Sequence, residues 1–319
     1  MAVNADKPSR WKTDIAQSVD LYNEWFLRFA PQAFRETRIE TTKAVEAALG
    51  WTSNLLDVSP AVLKRNPTVL RMLRMTTAPP IARDRLVGLA RVPSGLVHSL
   101  EVDRRIPPKM SAAVLDAELE KVGELIERLA DRDIFPWLDD RRAPTEAEVY
   151  RAATIVADRL CGAMADPIIR NDQERRQLAT LRSWLEPRGY VFVSTGQGLT
   201  VRQMQPGTFA FRLNAPVTLE GGKGVNIPID CAVMPLRAQP GELPLLIEAK
   251  SAGDFTNTNK RRKEEAQKIA QLRATYSSEV RFILFLCGYF DSGYLGYEAA
   301  EGLDWVWEHR IDDLAQFGV

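Results

Sequence analysis

A change of hydrophobic rhythm near Gly189 constrains this chain more than any other feature. Before it, apolar residues recur every three or four positions, between charges, over 14–29, 38–48, 60–75 and 111–130. That spacing predicts amphipathic helices. Prolines such as Pro60, Pro67, Pro107, Pro136 and Pro144 break these helices or begin them. Thr145 and Glu148 form a capping-box pattern that opens a helix to about residue 165, and a polar helix over about 167–185 follows. After Gly189 the runs shorten and become β-like, at 190–194, 208–213, 225–234, 243–250 and 280–287, with turn residues between most of them. One helix, about 259–276, interrupts them, and a tail carries Trp305 and Trp307. The two tryptophans read as core or interface residues.

A chain of 319 residues holds one large domain or two ordinary ones. The change of pattern divides it into a largely helical region, 1–165, and an α/β (α+β) region, 166–319, with a mixed sheet flanked by helices. No run of about 18 apolar residues exists, so no membrane span is expected. The N-terminus lacks an apolar signal core and reads as a cytosolic start. Cys161, Cys231 and Cys287 lie far apart, which fits reduced, packed thiols and not a zinc site. The formal net charge is zero, yet its distribution is uneven. Lys64, Arg65, Arg71, Arg74, Arg83, Arg85 and Arg91 are opposed within their stretch only by Asp84, and a second basic run spans Lys260–Lys263. Such local basic runs are where a phosphate backbone would be gripped.

The chemistry is concentrated in two of the β-like runs. Phosphodiester hydrolysis needs an activated water, a divalent metal and compensation for charge growing on the phosphate. Two carboxylates hold Mg²⁺ well, and a nearby Lys orients water and offsets negative charge. Ile227-Pro-Ile-Asp230 and Leu245-Leu-Ile-Glu248-Ala-Lys250 supply this set. Glu248 and Lys250 are two apart in a strand, so they leave from one face. The turn-rich stretch 235–242 lets the Asp230 strand fold back as a hairpin beside Glu248, with the Ala249 backbone carbonyl as a further oxygen ligand. A chain of this length holds roughly one or two (D/E)-x-K triplets by chance. Here there is one, and it ends an apolar strand. A surface Glu–Lys pair on an edge strand is the plainer alternative.

Other residues carry weaker signals. Glu174, on the helix before the first strand, is a candidate rim ligand for the metal, or else part of an N-terminal capping arrangement. Thr256, Asn257, Asn259, Lys260, Arg261 and Arg262 enter a helix directly after the Glu248 strand, where helix N-termini and polar side chains suit DNA contacts. Arg83 and Arg85 are further candidates for DNA binding. Gly221–Gly224 lacks the spacing of a phosphate loop and reads as a hairpin turn. His98 and His309 stand alone, so no histidine-based nuclease or serine/histidine arrangement is present.

Several long tracts resemble the XamI family of type II restriction endonucleases, a branch of the PD-(D/E)XK nucleases. They include WKTDIAQSVDLYNEWFLRFAPQAFRETR, TAPPIARDRLVGLARVPSGLV, EAKSAGDFTNTNKRRKEEAQKIAQLRATY, FLCGYFDSGYLGYEAAEG and DWVWEHRIDDL. The resemblance implies an Mg²⁺-dependent enzyme that cuts double-stranded DNA at a short palindrome, GTCGAC for the founding member, and leaves 5′-phosphate ends. It implies Asp230 and Glu248 as metal ligands and Lys250 as water-positioning base or electrostatic aid. It also implies a homodimer, since a palindrome matches two-fold symmetry, and a cognate methyltransferase in the same system. Ile229, not Pro, precedes Asp230, a departure from the PD pair. The competing expectations are a structure-specific or repair nuclease using the same metal site, and a non-catalytic DNA-binding regulator.

Overall fold

The computed structural model describes residues 2–196, 198–218, 222–256, 258–277 and 280–319, with backbone alone for 258–263. The helical first half consists of α1 (Pro8–Trp51), α2 (Pro60–Arg65), α3 (Val69–Leu73), α4 (Arg83–Ala90), α5 (Ser94–Glu101), α6 (Ala112–Leu129) and α7 (Glu146–Leu185). Two pairs of expected helices fuse. The segments 14–29 and 38–48 lie on α1, which runs through Pro31, and α7 runs through Pro167 where a helix start was expected. Proline removes one amide donor, a loss that long flanking helices tolerate. In the opposite sense, 60–75 splits at Asn66–Thr68 into α2 and α3. The capping box at the start of α7 forms as read: the Thr145 amide donates to Glu148 Oε2 at 2.8 Å, and the Glu148 amide to Thr145 Oγ1 at 3.3 Å.

The second half adds β1 (Val191–Phe192), β2 (Thr208–Thr218), β3 (Gly224–Val233), β4 (Leu245–Ala252), α8 (Thr258–Tyr276), β5 (Phe282–Gly288), α9 (Ser292–Ala300) and β6 (Asp304–Trp307). The described strands form one mixed sheet in the order β1-β2-β3-β4-β5-β6. β2, β3 and β4 form an antiparallel meander, and the pairs β1–β2, β4–β5 and β5–β6 are parallel. The turn read at Gly221–Gly224 joins β2 to β3 through residues 219–221, which lie outside the described residues. α9 and β6 were not expected. Trp305 and Trp307 sit on β6, fully buried, so they are core residues.

The chain divides into two compact units. One is Ala30–Ile168; the other joins Met1–Phe29 to Ile169–Val319. The helical unit has its own core, including Leu49, Leu70, Leu86, Leu119, Trp137 and Val156. In the sheet unit, one face packs on α8 and α9 through Ile269, Leu272, Tyr294 and Leu295. The other packs on α7 through Leu178, Leu181 and Trp184. The N-terminal segment belongs to this unit because its polar groups are satisfied there. The Asn4 and Ala5 amides each donate to the Asp304 carboxylate at 3.0 Å, and Ser18 Oγ accepts the Gly288 amide at 2.8 Å. Sequence periodicity could not show this, because the partners are nearly 300 positions apart. Among the described residues no helix is long and apolar enough to cross a membrane. All three cysteines are free and buried.

Candidate active site

Antiparallel register assembles the site. β3 and β4 pair with Cys231 opposite Ile247, Ala232 opposite Leu246 and Val233 opposite Leu245. One further step sets Asp230 level with Glu248, and Asp230 Oδ2 accepts the Ala249 amide at 2.9 Å. On β4, Leu246 joins the core on the α8 side, and two-residue alternation turns Glu248 and Lys250 the same way. Lys250 Nζ lies 3.2 Å from Glu248 Oε1. The hairpin thus brings together the three residues that the sequence singles out.

Sequence reasoning missed the contribution of α8. Glu265 Oε1 lies 3.5 Å from Lys250 Nζ, and Glu265 Oε2 accepts the Tyr294 hydroxyl at 2.6 Å. Lys268 Nζ lies 2.5 Å from Glu248 Oε2. Both residues lie in the same three-and-four-spaced stripe as Ile269, Leu272 and Tyr276, which is buried against the sheet. A Glu and a Lys in a core-facing stripe are the signal that could have found them. Gln177 of α7 was also missed. It is buried, and its Nε2 donates to the Phe285 carbonyl at 3.2 Å and the Lys250 carbonyl at 3.4 Å, tying α7 to the end of β4 that carries the lysine.

Electrostatics follow from crowding in a half-dry place. Burial pushes the Asp230 carboxyl up, and the Glu248 charge pushes it further. Lys268, the Ala249 amide and Lys250 pull it back, leaving it at about 6. For Lys250, burial alone would favour the neutral amine, but Glu248, Glu265 and Asp230 together outweigh it and hold the ammonium above its ordinary value. Burial also raises Glu265, against the pull of Lys250 and the hydrogen bond from Tyr294. Two carboxylates forced together make a cation-seeking site, and two ammonium groups beside them suit an anionic substrate.

Among the described residues no group of three or more His, Cys, Asp or Glu side chains converges as a metal cage. The converging oxygen donors are the Asp230 and Glu248 carboxylates. Few hard oxygen ligands, one of them a carboxyl destabilised by its neighbour's charge, fit Mg²⁺, which keeps several of its own waters. They do not fit zinc, which takes nitrogen or sulfur ligands in a closed tetrahedron.

Residues 53–307 match the sequence model of the XamI restriction endonuclease family. The chain belongs to that family. Family membership makes this protein a restriction endonuclease, a site-specific deoxyribonuclease, and agrees with the tracts quoted above. The chain is also similar to the type II restriction enzyme SalI of Streptomyces albus G, with 54% identity over 316 residues covering 99% of each chain. No solved structure matches.

Within this XamI-family enzyme the remaining expected residues are scattered. Glu174 of α7 is half-exposed and pairs with Arg212 of β2 at 2.9 Å. Arg212 lies between the paired levels Phe211–Cys231 and Leu213–Ile229, level with Asp230. Thr256 is exposed after β4, and its amide donates to Asp254 Oδ1 at 2.8 Å. Asn257 lies outside the described residues. Asn259, Lys260, Arg261 and Arg262 lie in the first turns of α8, as expected, with their side chains outside the description. Arg83 and Arg85 are exposed on α4 of the helical unit.

Proposed function

We propose that this restriction endonuclease hydrolyses both strands of duplex DNA at a short palindrome of the GTCGAC type, with Mg²⁺, as a homodimer. The observation that carries the reading is the Asp230–Ala249 hydrogen bond across β3 and β4, which locks one carboxylate beside the Glu248–Lys250 pair. Asp230 and Glu248, with the Ala249 carbonyl, would hold the cation, and Glu174 stands as a candidate rim ligand. When bound, the cation polarises the scissile phosphate and makes water a better nucleophile.

The chain's own residues do the rest. Lys250 keeps its proton, held by Glu248 and Glu265. In the metal-free protein it is therefore a hydrogen-bond donor and a fixed positive charge. It orients the attacking water and offsets the negative charge that grows on the phosphate. Water adds to phosphorus in line with the leaving O3′, the P–O3′ bond breaks, and O3′ takes a proton. The products are a 5′-phosphate and a 3′-hydroxyl. Thr256, the start of α8, and Arg83 and Arg85 of the helical unit contribute DNA contacts, and the helical unit serves recognition and dimerisation. A cognate methyltransferase protects the host's own sites.

The test is digestion of a plasmid of known sequence with Mg²⁺, followed by end mapping. The expected result is cutting at one palindrome with ligatable 5′-phosphate ends, absent in Glu248→Ala. Retained cutting by Glu248→Ala would sink the assignment of the site.

A further inference from the structure

Lys268 takes no part in the proposed hydrolysis, yet among the described residues it makes the shortest ion pair of the site. We infer that Lys268 is a built-in competitor for the divalent cation, an ammonium group that the cation must displace from Glu248 and that a DNA phosphate then receives. The inference rests on Asp230 and Glu248 being the metal ligands.

Three observations lead to it. Lys268 Nζ lies 2.5 Å from Glu248 Oε2, while Lys250 lies 3.2 Å from Oε1, so both oxygens of this carboxylate face a cation already. The positive charge of Lys268 also favours the ionised Asp230 carboxylate, so it serves both acids, as a metal ion would. The two lysines are also anchored differently. Lys250 keeps a second carboxylate, Glu265 at 3.5 Å, when Glu248 turns elsewhere. Among the described ion pairs Lys268 has the one with Glu248, so it is the less anchored of the two.

Charge gives the displacement a use. The formal charges of Asp230, Glu248, Glu265, Lys250 and Lys268 sum to −1. A divalent ion entering this set turns its net charge positive and lies next to two ammonium groups, which is costly in a partly buried site. A phosphate arriving with DNA lowers that cost and offers Lys268 an anionic partner. Metal loading is thereby coupled to DNA, and the free enzyme holds its metal weakly.

Mg²⁺ binding to the full-length, DNA-free protein, measured by calorimetry, tests this. Lys268→Gln and Lys268→Met should each bind Mg²⁺ about tenfold tighter than wild type, since one opposing charge a few ångströms away is removed. Lys268→Arg should stay near wild type, and the gain should vanish in Lys268→Gln/Asp230→Asn. A duplex lacking the cleavage site should tighten Mg²⁺ binding to wild type more than to Lys268→Gln. Equal or weaker Mg²⁺ binding by both neutral variants, with binding still abolished by Asp230→Asn, overturns the role of Lys268 and leaves the metal site standing. Mg²⁺ binding and cleavage that both survive Asp230→Asn overturn the metal site, and this inference with it.

Discussion

Replacing Asp230 by Asn should abolish Mg²⁺-dependent cleavage and make the metal-free protein more stable. In an unfolded chain this carboxyl titrates near 3.8, and in the folded protein near 6. Between those values the folded state binds the extra proton, so stability falls as pH rises from about 4 to about 6 and stays lowered above that. The gap amounts to ~3 kcal/mol at pH 8 and roughly half of that at pH 5. An amide carries no charge at either pH and still offers an oxygen to the Ala249 amide, which Asp230 accepts at 2.9 Å. Asp230→Asn should therefore gain ~3 kcal/mol at pH 8 in EDTA, with the gain shrinking on acidification. Urea unfolding followed by tryptophan fluorescence reads this directly. Saturating Mg²⁺ should reverse the order, because only the wild type gains stability by binding it. A variant less stable than wild type at pH 8, or a gain independent of pH, refutes the picture of two charges crowded by burial.

Two further substitutions probe neighbouring parts of the same unit. Lys250→Met should lower the single-turnover cleavage rate by about 10²–10³-fold with little change in DNA affinity, because a fixed positive charge at the phosphate is lost in the transition state. Gly288 ends β5 at φ 102°, and a Cβ there would lie 2.1 Å from the Ala252 carbonyl oxygen at the end of β4. Gly288→Ala should cost on the order of 3 kcal/mol, seen as a lower thermal midpoint, since neither the backbone nor that carbonyl can yield cheaply.

The two-strand half of the site was readable because strand geometry is local. Glu248 and Lys250 share a face by simple alternation, and a turn of eight residues leaves Asp230 little choice but to return beside them. The α8 half was not. Glu265 and Lys268 fall in a run, KRRKEEAQKIAQ, whose charges read as a solvated helix face. What makes them site residues is the burial of that face, a tertiary fact that periodicity does not carry. The place of the N-terminal segment was unreadable for a related reason: its helix is amphipathic wherever it docks, and contacts with residues far along the chain, such as Asp304 and Gly288, tell which unit it joins.

Asp230 shows how a regular pattern can conceal a functional irregularity. Val225, Ile227, Ile229, Cys231 and Val233 alternate without a break, so the sequence predicts one apolar face along the strand. The structure divides them. Ile227 and Ile229 enter the core beneath α8, whereas Cys231 and Val233 enter the core beneath α7. The partner strand switches at the same level, with Leu213 on the α8 side and Phe209 on the α7 side. Between them Arg212 takes φ 53°, the left-handed backbone that a bulky residue adopts only under constraint. Both strands therefore rotate together at Arg212 and Asp230, and the pairing resumes in the same register on either side. A carboxylate on an unbroken strand would stand perpendicular to the sheet. At this twist the Asp230 side chain instead reaches the Ala249 amide of the next strand, and that reach sets the separation of the two acids. The local distortion is what converts an ordinary hairpin into a place where two carboxyl groups crowd one another.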